Sequence, residues 1–176
     1  AKSGFNIKRP RVGLLNVGTE GHKGRSELQE AAELILESSK LFDFEYIGYV
    51  EGDDIPSSKL DVIVTDGFTG NIALKTGEGT ASLVRTLLKE TFAFSIMARI
   101  ASILALSPLR ALKKRIDPRR VNGGVFLGLN GTIVKSHGSA DATGISAAIT
   151  LAYKLAQNDF QADLAKKIVP QKNLSE

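Results

Sequence analysis

Side chains able to hold an anion or polarise a carbonyl gather in three glycine-rich stretches of this 176-residue chain. The first, GLLNVGTEGHKGRSELQ at residues 13–29, places Asn16, Gly18, Lys23 and Arg25 between an apolar run and a helix start. Its glycines at 18, 21 and 24 stand three apart. That is neither the G-x-G-x-x-G of a dinucleotide site nor a phosphate loop, whose lysine follows the last glycine, whereas Lys23 precedes Gly24. Free backbone N–H groups and the positive dipole end of the following helix, with Lys23 and Arg25 beside them, still suit an anion. A glycine-rich connection with solvated charges fits the same residues.

The second stretch, TDGFTGNIALKTGEG, sets Asn71 and Lys75 four apart, so both point the same way once a helix has begun. An amide donor beside a cation suits a phosphate or a developing oxyanion, and an Asn in a turn with a surface Lys is the plainer alternative. The third, LNGTIVKSHGSADATG, packs Asn130, Lys135, Ser136, His137, Ser139 and Asp141 into twelve residues. Triad members usually come from separated loops and no G-x-S-x-G is present, so these are not a hydrolase triad. What remains is a donor-rich loop ahead of a helix start, a second candidate anion site. Three such junctions, poor in acids and without metal-ligand spacing, favour a phosphate-bearing or carbonyl-polarising site.

Composition narrows the chemistry further. With no cysteine, disulfides, thiolate metal sites and a cysteine nucleophile are excluded, and two histidines argue against a multi-His metal site. The absence of cysteine also accords with a reducing cytoplasm, and residues 1–10 lack the apolar core of a signal peptide, reading instead as a connector into a strand. Hydrophobic content of 43% and charged content of 24% are ordinary for a globular protein, and the length suggests one domain.

The elements that must position these residues alternate. Short apolar runs at 11–17, 44–50 and 61–66 read as strands. Ser26 and Gln29 have capping-box spacing ahead of a helix whose apolar face is Leu28, Ala31, Ala32, Ile35 and Leu36. After a GFTGN loop a second helix aligns Thr80, Leu83, Val84, Leu87 and Leu88, and Asn130-Gly131 suggests a tight hairpin turn between two short strands. Asp141 should cap a last long helix with Ile145, Ala148, Ile149, Ala152, Leu155 and Ala156 inward. This order predicts an α/β sheet with helices on its faces, where ligands sit beyond the carboxyl ends of strands.

One segment departs from the rest. Residues 85–120 hold nine Lys or Arg against two acids, a local +7 in a chain of net +4. Between 92 and 106 only Ser95, Arg99 and Ser102 are polar, a narrow stripe on a broad apolar helix too short to span a bilayer. Pro108 should break or kink it before Arg110, Lys113, Lys114, Arg115, Arg119 and Arg120. Apolar residues beside a cationic cluster suit an anionic membrane surface, with Ile96, Ile100, Leu104, Lys113 and Lys114 as contacts. A dimer-interface hairpin, or a dock for an acidic partner, fits the same residues. Nucleic acid is disfavoured, since neither interleaved exposed aromatics nor a recognition motif accompanies the charge.

In this order and separation, GLLNVGTEGHKG, DVIVTDGFTGNIALKT and GLNGTIVKSHGSADA closely resemble the bacterial phosphate acyltransferase family, over residues 10 to about 168. The match corresponds to roughly the C-terminal half of a member, with 89–120 as an inserted amphipathic basic segment. The resemblance implies a three-layer α/β/α sandwich, isocitrate-dehydrogenase-like and phosphotransacetylase-like. It implies a homodimer, peripherally associated with the inner face of the plasma membrane, that transfers a fatty acyl group from acyl-acyl carrier protein to inorganic phosphate, with no cofactor or metal. Carried onto this chain it makes Lys23 and Asn71 the catalytic pair, with Asn16, Gly18, Lys75, Asn130, His137 and Ser139 as substrate contacts. The alternatives are a coenzyme A-dependent phosphotransacetylase, which gives no reason for the basic apolar segment, and a non-catalytic membrane-binding or dimerisation module.

Overall fold

The computed structural model describes residues 1–117, 119, 122–138 and 140–168, with the side chains of 167 and 168 excepted. Where length suggested one domain, these residues form two compact units, Ala1–Asn71 with the chain from Asn158, and Ile72–Gln157.

The first unit is built on a three-stranded parallel sheet in the order β2-β1-β3, with β1 at Arg11–Leu15, β2 at Glu45–Val50 and β3 at Val62–Val64. Burial on both faces makes β1 an unbroken apolar run, and Val12, Leu14 and Val50 are core. Gly13 is required there, because a β-carbon would come within 2.7 Å of the Val50 side chain on the neighbouring strand. Arg11 ties the start of β1 to the approach to β3, giving Nε and Nη2 to the Asp61 carboxylate at 3.0 and 3.1 Å. Helix α2 (Ser26–Leu41) makes the crossover from β1 to β2. Two elements the sequence did not suggest complete the unit: the helical turn α1 (Lys2–Phe5), where a connector was expected, and α7 (Phe160–Ile168), set off by Asp159 at positive φ.

The second unit takes most of α3 (Gly67–Ala93), then α4 (Ile96–Leu104), α5 (Leu106–Arg115), the antiparallel pair β4 (Gly124–Val125) and β5 (Val134–Lys135), and α6 (Ala142–Gln157). Its core is the α6 face carrying Ala148 and Leu155, packed near β5.

Several local expectations are corrected. Ser26 is the first helical residue of α2 rather than its cap, and its hydroxyl makes no cap hydrogen bond; a capping box forms instead at Glu51 and Asp54. GFTGN is no loop, since α3 starts at Gly67, where Asp66 accepts from the Thr69 N–H at 2.9 Å and closes the helix end. The 92–106 segment is not one helix but holds the end of α3, all of α4 and the first residue of α5. Ser95 caps α4 through the Ala98 N–H at 3.1 Å, and the break falls at Ala105, three residues before Pro108, which sits in the first turn of α5 where its missing N–H is not needed. The hairpin exists, but Phe126 and Ile133 close it and the positive φ belongs to Gly128, so Asn130-Gly131 is not a two-residue turn. On α6 Asp141 does cap, accepting from the Gly144 N–H at 3.0 Å, yet Ile145, Ile149 and Ala156 face out. Leu83, Val84 and Leu87 of α3 are likewise exposed.

Candidate functional site

At the end of β1 the chain enters the first glycine loop. Asn16 is buried, 7% exposed, and its amide organises the loop by giving Nδ2 to the Lys23 carbonyl at 3.0 Å while Oδ1 accepts from the Val17 N–H at 2.9 Å. Gly24, at φ +88, lies so close that a β-carbon would overlap that amide. A β-carbon on Gly18 would run into the Lys23 stem, so Gly18 lets Lys23 fold back over the loop. Lys23 Nζ meets Glu20 at 2.7 Å, and this bond, with the Glu20 charge, raises the lysine and lowers the carboxylate. Arg25 reaches Asp66 at 3.3 Å, joining this loop to the start of α3 at the carboxyl edge of the sheet. The Thr69 hydroxyl and N–H hold Asp66 below the usual carboxylate range, with Arg25 adding to them. Asn71 lies exposed in the second turn of α3.

Within the second unit, Lys75 and His137, 62 positions apart in sequence, are brought into contact, Nζ to Nε2 at 2.5 Å, and Lys75 also meets Glu78 at 3.0 Å. An ammonium has donors only, so Nε2 accepts in this arrangement. Asn122 fixes the His137 loop by accepting from the His137 N–H at 3.0 Å and donating to Ser136 Oγ at 2.8 Å. Arg119 grips Asp117 at 2.8 and 2.7 Å and Asp141 at 2.6 Å. Asp117 is buried and held at about 2, chiefly by that guanidinium, while the Gly144 N–H first and Arg119 next lower Asp141.

Glu78, Asn122 and His137 line two cavities. One, about 290 Å³, adds Arg85, Asp117 and Arg119; the other, about 510 Å³, adds Leu74, Val125 and Phe126. The smaller cavity is lined by charged and polar side chains, while the larger also takes Lys135 and Ser136 and so combines polar with apolar lining. Asn130 is exposed and lines neither, and Ser139 lies outside the described residues. Sequence reasoning passed over Glu78, Arg85, Asp117 and Asn122 and placed Arg119 in the surface cationic cluster, where the structure instead pairs it with Asp117 and Asp141; the one available signal for Asn122 was the two glycines that follow it.

Residues 1–163 match the family described as fatty acid synthesis protein. The chain belongs to that family. It is 66% identical over 168 residues to a phosphate acyltransferase of Paracoccus denitrificans (strain Pd 1222), a match covering 96% of this chain and 45% of that protein. Phosphate acyltransferases of Ruegeria pomeroyi and Jannaschia sp. (strain CCS1) are each 62% identical over 168 residues, 96% of this chain, covering 45% and 46% of those proteins. The chain thus spans about half the length of the curated relatives it matches.

In this member of the fatty acid synthesis protein family, no helix among the described residues is long and apolar enough to cross a membrane. Among them no cluster of three or more His, Asp or Glu could hold a metal ion. Ile96, Ile100 and Leu104 project from α4 with exposures of 75%, 49% and 83%, while Ala98 and Ser102 are half-buried. Lys113 and Lys114 are exposed in the last turn of α5.

Proposed function

We propose that this chain is part of an enzyme that transfers a fatty acyl group from acyl-acyl carrier protein to inorganic phosphate, supplying acyl-phosphate for phospholipid synthesis. The observation that carries the reading is the 66% identity, over 96% of the chain, to a protein named phosphate acyltransferase. A phosphate oxygen attacks the thioester carbonyl, the oxyanion collapses, the C–S bond breaks, and the carrier thiol leaves with a proton. Such a reaction needs an anion pocket and oxyanion donors but no protein nucleophile, which fits a chain without cysteine. Lys23 orients and charge-balances phosphate in exchange for Glu20, and Asn71 donates to the oxyanion. Lys75 and Asn130 contact phosphate or thioester, as does Ser139, while Asn16 and Gly18 shape the Lys23 loop and His137 gives a proton to the departing thiolate.

The three-layer α/β/α sandwich, homodimerisation and peripheral attachment to the inner face of the plasma membrane belong to the same proposal. The outward apolar side chains of α4 next to the cations of α5 support a membrane-facing role. The same exposed face also favours a second reading, a dimerisation or membrane-binding module without catalysis of its own.

The deciding assay is phosphate-dependent release of free thiol from palmitoyl-acyl carrier protein, run beside liposome flotation. Release that requires phosphate is the expected result. Flotation without thiol release, by this chain and by the longer protein alike, would leave the module reading in its place.

A further inference from the structure

An apolar slot of about 190 Å³ opens between α3 and α5. Leu88 and Phe92 line it from α3, and Leu109, Leu112 and Ile116 from α5 and its end. Three cations, Arg85, Lys89 and Lys113, complete the described lining, and no carboxylate is among it. Among the described residues none of the three forms an ion pair, in contrast to Arg119 with its two carboxylates. Arg85 also lines the polar cavity that holds His137 and Asn122, so slot and cavity share a wall.

Size and charge together select the ligand. Cavities for drug-sized molecules run to about 300–1,000 Å³, so this slot is too small for a nucleotide or coenzyme and suits a single flexible apolar chain. Unpaired cations at the rim then call for an anionic head. We propose that the slot binds the chain of a single-chain acyl anion, a fatty acyl carboxylate or acyl phosphate, with its head held by Arg85, Lys89 and Lys113. The proposal rests on the acyl-transfer reading only for the physiological identity of the ligand, which would be the acyl-phosphate product. The shared Arg85 then sets the head beside the polar cavity and leaves the chain length to be sensed between α3 and α5.

The test is calorimetric titration of this 176-residue chain with dodecanoate, dodecyl phosphate and neutral dodecanol, each below its aggregation concentration. Saturable one-to-one binding of both anions is expected, with dodecanol at least about tenfold weaker because it gains nothing from any of the three exposed cations. Leu112→Asp should weaken all three by at least about tenfold, since it sets a carboxylate in the apolar lining. Lys89→Gln, a surface change that leaves folding intact, should weaken the anions by about threefold and spare dodecanol. Ile100→Asp on α4 should change nothing. Absence of saturable binding, indifference to Lys89→Gln, or binding to anionic vesicles but not to the monomeric amphiphiles would each overturn the slot. Dodecanoate binding with no thiol release by either this chain or the longer protein would sink the acyl-transfer reading and leave the slot standing; thiol release without dodecanoate binding would do the reverse.

Discussion

At the residue scale, Lys23 and Asn71 differ in what surrounds them. Lys23 is locked to Glu20 over a loop that Asn16 and Gly24 hold in shape, so an arriving phosphate must displace a carboxylate. Lys23→Ala in the longer enzyme is therefore expected to raise the KM for phosphate more than it lowers kcat. Asn71 is exposed and makes no side-chain hydrogen bond among the described residues, so its amide is available to a developing oxyanion. Asn71→Ala should lower kcat by about 100-fold to 1,000-fold, the range for one oxyanion donor, with dimerisation and circular dichroism unchanged. Steady-state kinetics on both variants reads this directly, and near-wild-type turnover in both would remove them from the chemistry. The donor residues of the loops were legible because Asn, Lys and His beside glycine are chemically conspicuous in a sequence. Asn122 was not, and Arg119 was legible only as one cation of a basic cluster. Asn122 bonds to Ser136 and His137, 14 and 15 positions away, and Arg119 to Asp141, 22 away, as well as to Asp117 two positions before it, and only the folded chain reveals those bonds.

At the element scale, caps decide where helices begin, and the sequence showed them unevenly. Asp141 was readable, standing alone before a long apolar periodicity. Ser95 was not, because the apolar pattern continues across it and periodicity cannot register a stop whose only signal is one hydroxyl turned back on Ala98. Asp141→Ala removes both the cap on α6 and one of two carboxylates on Arg119, and should destabilise the chain by about 1–2 kcal/mol. Asp141→Asn keeps a capping oxygen and should cost less; urea denaturation of the pair separates the two roles. On α4 the large apolar residues Ile96, Ile100 and Leu104 stand exposed, no residue is buried, and Ala98 and Ser102 are only half-buried, unlike an ordinary surface helix with its apolar side covered. Ile100→Asp with Leu104→Asp is accordingly expected to abolish liposome flotation without lowering the denaturation midpoint. If flotation persists and the oligomer dissociates instead, α4 is an interface between copies.

At the scale of the whole molecule, the alternation of strand and helix indicated an α/β chain, and the first unit's sheet is parallel, but the division into two units was not legible, since α3 reads as one uninterrupted helix across the boundary. Among the described residues, each unit has one carboxylate held at about 2 by an arginine: Asp61 by Arg11 in the first, Asp117 by Arg119 in the second. A folded-state value below that of the unfolded chain means that folding favours the ionised form. The stabilisation is therefore complete above the unfolded carboxylate value, near 4, and is lost as pH falls through about 2. Both units should weaken over that window rather than near neutrality. The three tyrosines divide the readout, because Tyr46 and Tyr49 lie in β2 of the first unit and Tyr153 lies in α6 of the second. Asp61→Asn should flatten the acid dependence followed at Tyr46 and Tyr49 in a Tyr153→Phe background, while Asp117→Asn should flatten that followed at Tyr153 when the other two are Phe. Equal flattening by either substitution at both probes would mean that the units unfold as one, and no flattening at all would mean that neither arginine pair contributes to acid stability.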